Sequence, residues 1–159
     1  MIRPAQQGDE HVIVRFIHEL AAYERLEHRL DTDVGRLREH LFGPKPCCEA
    51  LLAEEAGKPV GFALFFLCYS TFKTAPCLWL EDLYVQPQAR GRGHGKALLH
   101  ALAELALARG YPRIDWAVLD WNASAIGFYT ALGAHVLPDW RVCRVEDAAI
   151  QELFVRSQP

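Results

Sequence analysis

Apolar residues change their spacing along this chain, and the changes outline its elements. Near the N-terminus Val12, Phe16, Ile17, Leu20 and Tyr23 recur every three or four residues, the stripe of an amphipathic helix. A short strand near residues 2–4 precedes it, and Asp9 stands where it could cap the helix. A second short helix is expected from Asp33 to about Leu41, ended by Gly43-Pro44-Lys45-Pro46. The pattern then becomes that of strands, over residues 49–54 and 60–69, with Ala56-Gly57-Lys58-Pro59 as a hairpin between them. A third strand runs from Pro76 through Val85 and stops at Gln86-Pro87. Helical spacing returns with Leu98, Ala101, Leu102 and Leu105, closed by Gly110. A strand over 113–119, a helix over 123–132 before Gly133, and strands near 134–137 and 141–145 complete the chain.

A strand and two helices, then a meander, then a crossover predict an α/β (α+β) fold in one domain spanning residues 1–159. Its sheet should be mixed and mostly antiparallel, with helices on both faces. A net charge of −3 gives no general grip on nucleic acid, and no polybasic run suggests a membrane surface. The five cysteines form no CxxC pair and read as small buried hydrophobes in a reducing compartment. Met1-Ile2-Arg3-Pro4 is no apolar leader and no long apolar run follows, so a cytoplasmic location is expected. The histidines, at 11, 18, 28, 40, 94, 100 and 135, are too scattered to predict a metal.

The segment Arg90-Gly91-Arg92-Gly93-His94-Gly95-Lys96 lies between a strand and a helix. Glycines let backbone N–H groups approach a ligand, and the helix start adds unpaired donors and partial positive charge. With Arg90, Arg92 and Lys96 beside them, the expected ligand is a phosphate or pyrophosphate. A Walker loop is excluded, because Arg90 replaces its first glycine and Ala97 replaces the hydroxyl that would hold magnesium. A Rossmann fingerprint is excluded too, because Lys96 stands where its last glycine belongs.

Arg90-x-x-Gly93-x-Gly95, following Leu80-Glu81-Asp82-Leu83-Tyr84-Val85, resembles the cofactor motif of the GNAT acetyltransferase superfamily. The resemblance continues through Val118-Leu119-Asp120-Trp121-Asn122 and Phe128-Tyr129-x-x-Leu132-Gly133-Ala134. Glu19-Leu20-Ala21-Ala22-Tyr23-Glu24 and Tyr69-Ser70-Thr71-Phe72-Lys73 are similar to the diamine (spermidine/spermine and thialysine) subfamily. The resemblance implies the GNAT fold, acetyl-CoA as cosubstrate, a small amine as acceptor and a homodimer. Residues 90–96, that is Arg90, Gly91, Arg92, Gly93, His94, Gly95 and Lys96, would then hold the pyrophosphate, with the His94 side chain toward solvent.

Acetyl transfer to an amine requires a neutral amine, a stabilised carbonyl oxygen and a proton for the leaving thiolate. By resemblance Tyr129 is the general acid, since a phenol, ordinarily of pKa near 10, can protonate a thiolate whose acid lies near 8.5. Glu81 is the expected relay for the amine proton, directly or through water, while Asp82 attracts the amine or pairs structurally. Neighbours on a strand face opposite ways, so both can serve one cleft only if a bulge re-aims one of them. Leu83, Tyr84 and Val85 should offer main-chain groups to the pantetheine arm, with the Leu83 N–H aimed at the carbonyl oxygen. Asn122, with Ala125 beside it, reads either as a helix cap or as a cofactor contact. Tyr23, Glu24, Asp115, Trp116 and Ala117 are implied for the acceptor pocket, although Tyr23 also fits the apolar stripe. The segment Leu137-Pro138-Asp139-Trp140-Arg141 is shorter than its counterparts in the family. Two alternatives stay open: another acceptor (an amino acid, aminoglycoside or protein lysine), or an acetyl-CoA-binding sensor without turnover.

Overall fold

The computed structural model describes residues 1–156, which fall into two compact units that divide after Ala117. In the first, β1 (Ile2–Pro4), β2 (Glu49–Glu55), β3 (Lys58–Ser70), β4 (Ala75–Val85) and β5 (Ile114–Trp116) lie side by side in chain order. The first four are antiparallel neighbours and β5 joins β4 in parallel. Helices α1 (Glu10–Glu24) and α2 (Val34–Phe42) cover one face, and α3 (His94–Ala108) covers the other. The mixed, mostly antiparallel sheet between helices is therefore the fold the apolar pattern predicts.

Alternation on the strands sorts the core into two layers. On β2, Leu51 and Ala53 join Leu98, Leu102 and Ala106 of α3, while Ala50 and Leu52 join Ile13 and Phe16 of α1. Each large side chain so buried contributes on the order of 1.5–3 kcal/mol. At the β2–β3 turn Ala56 and Gly57 both take positive φ, 49° and 75°, the backbone of a tight two-residue hairpin.

One departure from alternation matters most. On β4, Leu78 and Leu80 lie in the α3 layer, so unbroken alternation would carry residues 82 and 84 there as well. Instead Leu64 of β3 pairs with Asp82 and Phe65 with Leu80, so Glu81 is an extra, bulged residue. Beyond it the parity reverses: Leu83 and Val85 pack on the α3 layer and Tyr84 is buried in the α1 layer.

Helix starts show how local chemistry departs from a motif. Asp33 caps α2 as expected, accepting the Arg36 N–H at 2.6 Å. Asp9 precedes α1 but makes no cap bond. Its carboxylate accepts instead from Arg3 at 2.6 and 3.0 Å and from the Gln6 N–H, a charge-assisted pairing stronger than a cap. The buried Glu10 accepts from Arg38 Nε at 2.7 Å and from the Gly8 N–H at 2.7 Å, tying α1 to α2.

The second unit corrects the sequence reading. It holds α4 (Ala123–Ala131) and α5 (Ala148–Arg156), and no strand forms at 134–137 or 141–145 among the described residues. Period-two patterning makes a strand only where a neighbour completes the ladder; here the Ala134 N–H turns back to the Tyr129 carbonyl and the Trp140 N–H to the Leu137 carbonyl. The expected strand over 113–119 likewise shrinks to Ile114–Trp116, the length that pairs with β4. The α5 helix, absent from the sequence reading, had a signal in Ile150, Leu153 and Phe154 and in the Glu152–Arg156 pair one turn apart.

Candidate active site

The bulge decides the geometry around β4. Trp79 and Glu81 share the α1 side of the strand before the register shift, and the Trp79 indole N–H donates to Glu81 at 2.8 Å. After the shift Asp82 takes the same side, so two consecutive carboxylates serve one face. Asp82 is half-buried, and no hydrogen-bond donor reaches it among the described residues. Burial, then the charge of Glu81, then that of Glu24 at the end of α1 raise its pKa from 3.8 to about 7. Burial also raises the Glu24 carboxyl.

The end of α1 is held against β4 by a residue the sequence reading passed over in this role. Glu19 accepts from the Tyr84 hydroxyl at 3.1 Å and from Gln86 Nε2 at 3.1 and 3.2 Å. Burial and this carboxylate push the Tyr84 phenol up to about 12. One turn further on, Tyr23 lies under the Arg90 guanidinium, 5.0 Å from ring centroid to Cζ, and Tyr84 lies 5.8 Å from the same group. Arg90 Nε also donates to the Val85 carbonyl at 2.9 Å. Tyr23, expected at the acceptor, and Arg90, expected at the pyrophosphate, are thus direct neighbours.

The edge of β4 opens beyond Leu80, because β5 pairs only with residues 78–80. The Gln86 N–H donates to Val60 on the β3 side. Counting back in twos, residues 84 and 82 also bond toward β3, which turns the N–H and C=O of Leu83 and the N–H of Val85 to the open edge, the Val85 C=O being held by Arg90. The main chain of Tyr84 is engaged in the β3 ladder.

The loop after β4 has the conformation its glycines permit. Gly91 and Gly93 take φ of 75° and 86°, and a Cβ at either would meet nothing within 4 Å. The first backbone bond of α3 runs from the Ala97 N–H to the Gly93 carbonyl, leaving the preceding N–H groups without helical acceptors. Of the loop cations, Arg92 pairs with Glu55 at 2.6 Å and Arg90 is engaged as above. Lys96 has no ion-pair partner among the described residues. The Arg92 hydrogen bond holds the Glu55 carboxyl below its usual range. His94 departs from expectation: its Nε2 is buried, 3.6 Å from Glu55, rather than directed to solvent.

On β5, Asp115 is taken up by Arg113 at 2.6 Å, and Arg113 also reaches the buried Ser70 at 3.1 Å. Trp116 packs against the α3 layer, opposite the carboxylates, and Ala117 follows the strand. In the second unit Asn122 caps α4, accepting the Ala125 N–H at 3.2 Å. Tyr129 stands in the last turn of α4, its carbonyl accepting the Ala134 N–H at 3.1 Å beyond Gly133 at φ 91°. Its ring lies 5.3 Å from that of Phe128.

A strand with an open edge, an unpaired helix start after it and adjacent carboxylates offer places for an extended chain, an anionic group and a cationic group. The profile of the Acetyltransferase (GNAT) family matches residues 14–134. The chain belongs to this family. Within it, the chain is 40% identical to the thialysine N-epsilon-acetyltransferase of Bos taurus, over 96% of each protein. It is 29% identical to an L-ornithine N5-acetyltransferase of Arabidopsis thaliana, over 96% of this chain and 86% of that protein. Among solved structures, an integron cassette protein from the V. cholerae mobile metagenome matches with TM-score 0.78 at 25% identity, covering 97% of this chain and 96% of the other. This GNAT protein is an N-acetyltransferase, an enzyme that acetylates amines. No helix among the described residues is long and apolar enough to cross a membrane.

Proposed function

We propose that this GNAT enzyme moves the acetyl group of acetyl-CoA to a primary amine of a small diamine or lysine-like acceptor by direct attack. The observation that carries the reading is the bulged β4, whose Glu81 and Asp82 share one face within reach of the Glu24 charge. Several close carboxylates attract an ammonium-bearing chain through charge. The relatives at 39–40% identity are named for acetylating thialysine, a lysine-like amine.

The residues of the loop fit a pyrophosphate. The open space over Gly91 and Gly93, the N–H groups opening α3 and Lys96, which has no ion-pair partner among the described residues, are the donor set such a group requires. Acetyl-CoA, when bound, supplies the thioester whose acyl carbon the amine attacks. Leu83 and Val85 offer main-chain groups to its pantetheine arm, and the Leu83 N–H stabilises the carbonyl oxygen as charge grows there. Glu81 takes the proton that the ammonium, of pKa about 10.4, must lose, directly or through water. Asp82 and Glu24 hold the cationic chain, and the Tyr129 hydroxyl donates its proton to the departing thiolate.

The decisive experiment measures thiol release with acetyl-CoA against thialysine, lysine, ornithine, spermidine, an aminoglycoside and a lysine-containing peptide. Preferred turnover of thialysine or a diamine is expected. Preference for the aminoglycoside or peptide would move the acceptor assignment, and acetyl-CoA binding without release from any amine would overturn catalysis. The proposal includes a homodimer in the cytoplasm. Supporting the dimer, the second unit exposes the apolar side chains Trp140, Val142, Ile150, Leu153 and Phe154, the residue types a partner copy would cover. Light scattering on the eluted protein would give twice the chain mass, and a monomer at micromolar concentration would refute it.

A further inference from the structure

We propose that Cys68 and Cys77 are a reversible redox pair that closes into a cross-strand disulfide between β3 and β4. The two residues are direct partners in the β3–β4 register, so their side chains leave the sheet on the same face. Their spacing follows from the ladder. The Leu78 N–H donates to Arg113 on the β5 side, which turns the N–H and C=O of Cys77 toward Cys68 and makes this a hydrogen-bonded pair. Such pairs have Cα atoms about 5.5 Å apart, inside the range of roughly 4.4–6.8 Å that a disulfide spans.

The side chains must close further. Directly opposite Cβ atoms sit about 4.5–5.5 Å apart, whereas a disulfide holds them near 3.8 Å. The bond therefore forms with some strain, and strained disulfides are the readily reduced ones, which makes this a reversible link rather than a permanent staple. Both thiols are free. Cys77 is fully buried and Cys68 half-buried, so Cys68 meets the oxidant and Cys77 resolves the bond. The other cysteines have no such geometry: Cys47 and Cys48 are sequence neighbours, and Cys143 lies in the second unit.

The oxidant is a small-molecule disulfide of the glutathione type. The Cys68 thiolate attacks one sulfur of that disulfide, forms a mixed disulfide and expels one small thiolate, which takes up a proton. Cys77 then loses its proton, attacks the Cys68 sulfur and expels the second small thiol. Two protein thiols are oxidised and one small disulfide becomes two thiols. Burial, then Cys77 and then Asp115 raise the Cys68 thiol, against Arg113, so the thiolate is scarce and the exchange slow at neutral pH. The rung lies two residues before Trp79 and four before Glu81 on the same side of β4, so the link would mark the strand that carries the carboxylates.

The test uses the reduced full chain in native buffer, exposed to oxidised glutathione, alkylated, cut with trypsin and read by mass spectrometry. Lys73 lies between the two cysteines, so cleavage there leaves two peptides joined only by the bond. The expected result is a Cys68–Cys77 linked pair that dithiothreitol removes. The variant C68S, whose fold is checked by circular dichroism, should lose the link and leave Cys77 protected until denaturant is added. A lasting glutathione adduct on Cys68 without the link, Cys77 joined to another cysteine, or a link appearing only in urea would each overturn the proposal.

Discussion

Replacing Asp82 with asparagine should make the protein more stable at alkaline pH while weakening capture of the amine. The folded state raises this carboxyl from 3.8 to about 7, through burial first and then Glu81 and Glu24. A raised acid has a definite sign in the linkage. Between the two pKa values the unfolded chain has released the proton and the folded chain still holds it, so wild-type stability falls as pH rises from about 4 to about 7 and then levels off. Roughly three pH decades at about 1.4 kcal/mol each set a ceiling of about 4 kcal/mol. Water reaching the half-buried group, and proton uptake shared with Glu24, reduce the measurable part to about 2 kcal/mol.

Asparagine keeps the shape and removes the ionisation, so its advantage should be near zero at about pH 4 and reach about 2 kcal/mol at about pH 8.5. Urea unfolding of both proteins across that range is the assay, with circular dichroism as the signal. Steady-state kinetics on the same samples should show the KM for a cationic amine rising about tenfold or more, with the KM for acetyl-CoA little changed. Two unfolding profiles that stay parallel from acid to base would refute the reasoning, because Asp82 would then ionise as an ordinary surface carboxylate.

Other consequences are equally direct. Tyr129→Phe should lower kcat about a hundredfold or more at unchanged acetyl-CoA affinity, measured by steady-state thiol release and by calorimetric binding, and wild-type turnover would remove Tyr129 from the mechanism. Lys96→Ala should raise the acetyl-CoA KM about tenfold at constant kcat, since Lys96 is the loop cation without an ion-pair partner among the described residues. Glu10→Gln should cost about 2 kcal/mol in urea unfolding near neutral pH, because the buried side chain loses its charge-assisted bonds from Arg38 and the Gly8 N–H while the exposed Arg38 returns to water. Burial works against the Glu10 charge, but backbone and Arg38 hydrogen bonds outweigh it and depress the pKa, so that difference should shrink as pH falls through the folded value.

The parts of the structure legible in the sequence are those set by local period and turn chemistry. The stripe from Val12 to Tyr23, the cap at Asp33 and the glycines of the loop each act over a few residues, and each appears where its pattern put it. What escaped depends on partners that the local period does not name. Residues 134–145 carry apolar positions suited to strands, yet pattern alone supplies no neighbouring ladder. Asp9 has the right type for a cap, but Arg3, six residues earlier, outbids the backbone N–H groups. Arg90 and Arg92 looked like two free cations; the rings of Tyr23 and Tyr84 hold the first and Glu55 the second.

The bulge at Glu81 belongs to the same class and matters most for the chemistry. A run of Leu-Glu-Asp-Leu reads as regular alternation, which would separate the two carboxylates onto opposite faces of the sheet. Only the pairing of Leu64 with Asp82 and Phe65 with Leu80 shows that the strand holds one residue more than its partner. That single insertion brings the second acid to the side of the first and turns Leu83 and Val85 onto the α3 core, their main chain toward the open edge. It also moves Tyr84 under α1, where Glu19 holds its hydroxyl. Carboxylates, free edge and anchored helix end are therefore three consequences of one register shift. Restoring regular alternation by deleting Glu81 would disturb all three together, whereas Glu81→Gln would leave the frame and remove only the charge.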